Sequence, residues 1–166
     1  MRLAHLARHG IVAALLAATP ALAQQPLKIG LIMPYTGQFT DASGQMDDAI
    51  KLYIKQHGDT VAGRKIELIR RDDSGSPDVA KRMARELTVN DNVDILAGFV
   101  ITPEALAVAD VSEQAKKFMV VMNAATAIIT TKSPYIVRTS LTIPQLEEAF
   151  GTWAYKSGTR KVYTLV

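Results

Sequence analysis

The chain has 166 residues, 48% of them hydrophobic and 21% charged, an ordinary balance for one globular domain with a substantial core. Its formal net charge is +3, but Arg2 and Arg8 sit in a segment that reads as removable, and without them the excess is about one charge. A near-neutral chain with interspersed charges carries no nucleic-acid footprint. The lack of cysteine excludes disulfides, zinc–thiolate centres, thiol nucleophiles and lipid attachment through an N-terminal Cys.

Residues 1–10 hold Arg2 and Arg8 and no acid, residues 11–19 are a short, mostly apolar run, and Ala21-Leu22-Ala23 offers the small residues of a cleavage site. This is the layout of a secretory signal peptide over residues 1–23, with the cut expected between Ala23 and Gln24. The apolar run is too short to span a bilayer. Of three histidines only His57 lies beyond this segment.

Residues 27–33 read as a first strand of nearly continuous apolar character, ending in a turn-rich loop over 34–42. Residues 43–57 form an amphipathic helix with Met46, Ala49, Ile50, Tyr53 and Ile54 on one face, Ser43 placed to cap it and Gly58 to end it. A second strand follows over 65–71, then the loop 72–76. Ser76-Pro77 opens a helix that runs to Asn90 with Val79, Ala80, Met83, Ala84 and Leu87 on its apolar face.

The central unit is residues 93–126. Two short runs, 93–98 and 118–123, are rich in Val, Ile, Leu and Met, as expected of parallel strands buried on both faces. Residues 103–117 supply the crossover helix between them. A right-handed crossover brings both strand ends to one sheet edge, so the turns 99–102 and 124–126 are expected to be neighbours where open α/β sheets bind ligands. Beyond them, 127–134 is irregular and a short strand falls near 135–138. Thr142-Ile143-Pro144-Gln145 is a capping box opening a helix to about Ser157, with Leu146, Ala149, Phe150, Trp153 and Ala154 on its apolar face. Residues 161–166 read as one more strand. Periodicity places Tyr53 and Trp153 in the core. Alternating strands and helices predict a three-layer αβα domain with a mostly parallel sheet. A chain that stops inside an apolar strand is expected to be part of a longer one.

Two readings accompany each candidate site residue. Thr102, ahead of Pro103 and Glu104, is either a plain helix cap or, with the first helical N–H groups, a holder of an anionic group. Ala124, Ala125 and Thr126 form either a plain tight turn or a close-approach backbone with one hydroxyl and N–H groups for a ligand. Tyr35 and Phe39, in the loop after the first strand, either wall a pocket or pack locally. Asp72 and Asp73 are read as solvated, turn-bonding loop residues in preference to a metal or phosphoacceptor site. Nucleophile-elbow, dinucleotide and P-loop patterns are all missing, and a single histidine makes a poor catalytic base, so no enzyme, metal or cofactor is expected.

The opening KIGLIMPYTGQF, the stretch Asp72-Asp73-Ser74-Gly75-Ser76-Pro77, the strand ending in Gly98 and the segment MVVMNAAT together resemble the N-terminal lobe of a type I periplasmic binding protein. The resemblance is to the leucine/isoleucine/valine-binding family of ABC importer subunits and extends over essentially all of the chain beyond residue 23. It implies a non-catalytic, periplasmic solute-binding role, a small carboxylate such as a branched-chain amino acid as ligand, and a permease in the inner membrane as partner. The ligand's carboxylate is implied to lie on Thr102, Ala124 and Thr126. It also implies a lobe over 24–160, with 161–166 leading into a second lobe that completes the cleft. Val100-Ile101-Thr102-Pro103 stands where amino-acid binders often carry serines, and Ala42-Ser43 where they often carry an aromatic. Those departures point to a more apolar pocket and leave room for aromatic or aliphatic acids. The same kind of lobe also serves as the ligand-sensing ectodomain of a receptor, the alternative reading.

Overall fold

The computed structural model describes residues 24–163; the expected signal peptide, its cleavage site and residues 164–166 lie outside them. Six strands are present: β1 (Leu27–Met33), β2 (Thr60–Val61), β3 (Arg64–Asp72), β4 (Ile95–Gly98), β5 (Phe118–Val121) and β6 (Ile136–Arg138). Four helices accompany them: α1 (Thr40–His57), α2 (Pro77–Val89), α3 (Thr102–Ala115) and α4 (Ile143–Lys156). A 3-10 turn fills Ala127–Thr131, within the stretch read as irregular.

The sheet order is β2-β3-β1-β4-β5-β6. Every pairing is parallel except the β2–β3 hairpin, so the expected mostly parallel αβα layering holds. From β1 the chain moves outward to β3, then returns to lay β4 on the other side of β1. The β1/β4 boundary is therefore the topological switch point, where a crevice opens beyond the strand ends.

Alternation along the strands sorts side chains into two layers. Ile32, Leu96, Met119 and Val121 face α2 and α3, where Ala80, Ala84, Leu87, Ala105 and Val108 complete a fully buried core. Gly30 lies on this face because a Cβ there would stand 2.8 Å from a methyl of Leu87. Leu31, Met33 and Ala97 face the other way, against Met46 and Ile50 of α1.

That second face is only partly covered. An apolar groove of about 450 Å³, lined in part by Ile29, Met46, Ile50, Tyr53, Leu68 and Met122, stays open along α1. Tyr53 borders it and is 60% exposed, stacked on His57 at 4.2 Å, so it is not a core residue. Trp153 is 63% exposed, and no residue of α4 is buried against the described chain. Helical periodicity identified both apolar stripes correctly, but a stripe becomes core only where another element covers it. Residues 161–163 carry no strand.

Helix α1 begins three residues earlier than expected. Phe39 takes the N-cap position, and Ser43 is buried inside the first turn with its hydroxyl directed at the Phe39 carbonyl at 3.5 Å, so it is not the cap. Gly58 ends the helix as expected. In α4 the Oε1 of Gln145 accepts the Thr142 N–H at 2.8 Å, the glutamine half of the predicted capping box.

Candidate functional site

The C-terminal edge of the sheet carries three loops, the first clamped by the end of β3 and the other two bonded to each other. The first follows β1. Asp72, at the end of β3, accepts the N–H groups of Tyr35 at 2.9 Å and Thr36 at 3.3 Å and the Thr36 hydroxyl at 2.7 Å. It also accepts the Ser74 N–H at 2.9 Å. Partial burial works against this carboxylate, but the donors from Thr36, Ser74 and Tyr35 prevail and hold it below the usual range. Asp72 is thus a loop clamp, matching the turn-bonding reading.

Asp73 differs from its expected solvated state. It is fully buried, with Oδ1 accepting the Gly75 N–H at 3.0 Å and Oδ2 without a partner among the described residues. Burial pushes its carboxyl up. It packs inward because the Ser74 positive-φ turn folds the backbone over it.

Tyr35 and Phe39 both pack locally. The Tyr35 hydroxyl is buried beside the ion pair that Arg70 and Asp47 make at 2.6 Å. Burial and the Asp47 charge push it up to about 12. Phe39 joins the α1-side core, and its ring edge lies 3.7 Å from where a Gly75 Cβ would stand.

The second loop follows β4. Gly98 has φ +115°, and a Cβ there would strike the Ile32 carbonyl and stand 2.7 Å from Met33 Cγ. Phe99 follows at φ +65°, a costly conformation for a bulky residue, fixed by full burial and by its N–H donating to Ile32 O at 3.0 Å. These two residues swing the chain across the switch point into α3. Ile101 is the N-cap and Thr102 the first helical residue, so Thr102 is not the cap. Its hydroxyl is turned elsewhere.

Capping falls to Glu104, whose Oε2 accepts the N–H groups of Val100 at 3.0 Å and Ile101 at 3.1 Å. Glu104 is fully buried, and its Oε1 has no partner among the described residues. Burial, reinforced by Asp73, pushes its carboxyl up to about 7 against those two N–H groups.

The third loop follows β5 and meets the second, as the crossover geometry required. The Ala124 N–H donates to Phe99 O at 3.0 Å, Asn123 Nδ2 to Val100 O at 2.9 Å, and the hydroxyls of Thr102 and Thr126 are 2.6 Å apart. One hydroxyl proton is spent between the two threonines; the other remains available to a ligand. The carbonyls of Ala124 and Thr126 accept Arg138, and that of Ala125 accepts the Ile143 N–H at 2.9 Å. Among the described residues the N–H groups of Ala125, Thr126 and Ala127 have no acceptor.

The structure therefore brings Thr102, Ala124, Ala125 and Thr126 together, whereas Tyr35 and Phe39 both pack into the α1 layer. Asn123, Glu104 and Arg138 were missed. Glu104, an acid three residues after the N-cap, carried the only sequence signal. Paired hydroxyls, unclaimed N–H groups and a helix N-terminus thus gather at the sheet edge where open α/β folds take up ligands, and donors of this kind suit an anionic group.

Comparison with known proteins agrees with this class. Residues 26–166 match the periplasmic binding protein family, and the chain belongs to that family, whose members work outside the cytoplasm. It is 40% identical over 152 residues to a Leu/Ile/Val-binding protein homolog from Brucella abortus, covering 91% of this chain and 39% of that protein. The chain thus spans about two-fifths of the length of the curated relatives it matches.

Among solved structures, it is similar to the solute-binding protein of an ABC transporter from Rhodopseudomonas palustris BisB5 in complex with 3,4-dihydroxybenzoic acid. That match has 56% identity and a TM-score of 0.79 over 81% of this chain and 37% of the other. A second such protein, from strain HaA2 in complex with p-hydroxybenzoic acid, matches at 40% identity and a TM-score of 0.78 over the same shares. A leucine-binding protein from Thermotoga maritima, at 24% identity and a TM-score of 0.74 over 79% of this chain and 37% of the other, shares the fold.

Proposed function

We propose that this chain is the ligand-binding N-terminal lobe of an exported solute-binding protein that delivers a small aromatic carboxylic acid to an ABC permease. The signal sequence is cut between Ala23 and Gln24, and a second lobe, entered after residue 160, closes over the ligand. The observation that carries the reading is the contact between Thr102 and Thr126, which leaves one hydroxyl proton available near the unclaimed N–H groups of Ala125 and Thr126 at the ends of β4 and β5, beside the switch point. Neutral donors of this kind hold a carboxylate without burying a matched counter-charge. Ala124 closes the turn and, with no bulky side chain, lets the ligand approach the backbone.

Apolar Ile101, in place of a further hydroxyl, favours an aromatic ring over an α-amino group. The hydroxybenzoate complexes of the two R. palustris relatives support the same ligand class over branched-chain amino acids. In the two-lobed protein, ligand stabilises the closed form by its greater affinity for it, and the closed form docks on the permease.

The test is calorimetry and thermal shift on the full-length mature protein with 3,4-dihydroxybenzoate, 4-hydroxybenzoate, leucine, isoleucine and valine. A ligand specific to the native state raises the melting temperature once its concentration exceeds Kd. We expect the hydroxybenzoates to do so. A shift with the branched-chain amino acids alone would refute the aromatic assignment, and no shift with any carboxylate would refute the site.

A further inference from the structure

We infer that Arg138 is the positioning residue that makes the turn after β5 selective for anionic over neutral ligands. The inference deepens, and rests on, the carboxylate-binding reading above. Arg138 ends β6, and register places it opposite Val121, the last residue of β5. From there its guanidinium reaches over the turn. Nη1 donates to the carbonyl of Ala124 and, at 3.4 Å, to that of Leu141, and Nη2 donates to the carbonyl of Thr126 at 2.6 Å.

In a trans peptide the C=O and the following N–H point in opposite directions. Holding the carbonyls of Ala124 and Thr126 therefore directs the N–H groups of Ala125 and Ala127 away from the guanidinium. A fork of fixed donors is needed to hold two carbonyls two residues apart, which a single ammonium cannot reproduce.

Charge is the second half of the argument. Among the described residues no carboxylate lies within ion-pair distance of Arg138, whereas Arg64, Arg70, Arg71 and Arg82 each pair with one. Its positive charge is partly buried and is spent on carbonyl oxygens, so it polarises the two peptide groups and leaves a net positive potential at the turn. Peptide N–H groups backed in this way form an anion-binding concavity.

The test compares wild type, Arg138→Gln and Arg138→Lys in the full-length mature protein. Calorimetry uses 4-hydroxybenzoate and its neutral isostere 4-hydroxybenzamide, and amide hydrogen exchange is followed in the ligand-free state at Ala124, Ile129 and Ile143, whose N–H groups are bonded within or onto the turn. Wild type should prefer the carboxylate. Arg138→Gln should lower carboxylate affinity by about tenfold or more while changing amide affinity much less, since only the former loses a charge interaction. Arg138→Lys, which restores charge without the fork, should recover part of the preference but not the exchange protection.

An unchanged carboxylate-to-amide ratio in Arg138→Gln overturns the selectivity role, and unchanged exchange overturns the positioning role. Wild type that binds no carboxylate overturns the function reading and the selectivity role together. In that case faster exchange at the turn in Arg138→Gln still supports positioning, so the two failures are distinguishable.

Discussion

Glu104→Gln is the perturbation that bears most directly on the buried chemistry beneath the site. Two fully buried carboxyl groups, Asp73 and Glu104, each keep one oxygen without a partner among the described residues. Glu104 is pushed from an ordinary 4.5 to about 7 by burial and by Asp73. A folded-state value above the unfolded one means that the native protein binds the proton more tightly between those two values. Stability contributed by the protonated form is thus fully present below about pH 4.5 and is lost as pH rises towards 7. At about 1.4 kcal/mol per pH unit, the window of roughly 2.5 units amounts to about 3 kcal/mol.

Glutamine keeps an oxygen for the Val100 and Ile101 N–H groups, cannot ionise, and offers an amide donor to Asp73. Glu104→Gln should therefore match wild type at about pH 5 and exceed its stability by about 1–3 kcal/mol at about pH 8. Urea denaturation across that range gives the comparison. Asp73, also raised by burial, leaves a residual slope of the same sign in the variant. A variant that is less stable than wild type by the same margin at both pH values would refute the reasoning, since the loss would then be one of packing or geometry.

Thr126→Val removes one partner of the hydroxyl pair at nearly constant volume and should weaken carboxylate binding by about 1–3 kcal/mol, measured by calorimetry on the full-length protein; unchanged affinity would remove Thr126 from the site. Gly98→Ala forces a side chain into a φ of +115° and against Ile32 and Met33, and should cost at least about 2 kcal/mol of stability in a denaturant titration.

The βαβ unit was legible because its evidence is local: two short apolar runs, a helix between them, and a handedness rule that makes the two turns neighbours. The nearness of the turns that carry Thr102 and Thr126 follows from that rule, and the bounds of the first strand are as expected because its evidence too is local. What was not legible depends on partners far away in sequence. Helix α1 starts at Thr40 because the loop before it is clamped by Asp72, 37 residues from Tyr35. Nothing in residues 34–43 records that clamp.

Asp73 and Asp72 are adjacent and chemically identical, yet one is half-exposed and bonded to the first loop while the other is sealed under Gly75. The turn at Ser74 decides which is which. Arg138 looked like the end of a short strand; its role follows from the strand order, which brings β6 beside β5 and hence the guanidinium over three carbonyls. Tyr53 and Trp153 were read correctly as members of apolar stripes and incorrectly as core, since the periodicity of a helix states which side is apolar and says nothing about what lies against it. The candidate edge is therefore assembled from residues whose types are common in loops everywhere. What sets it apart is the clamp on the loop after β1 and the joining of the loops after β4 and β5, a property of topology that a linear pattern does not encode.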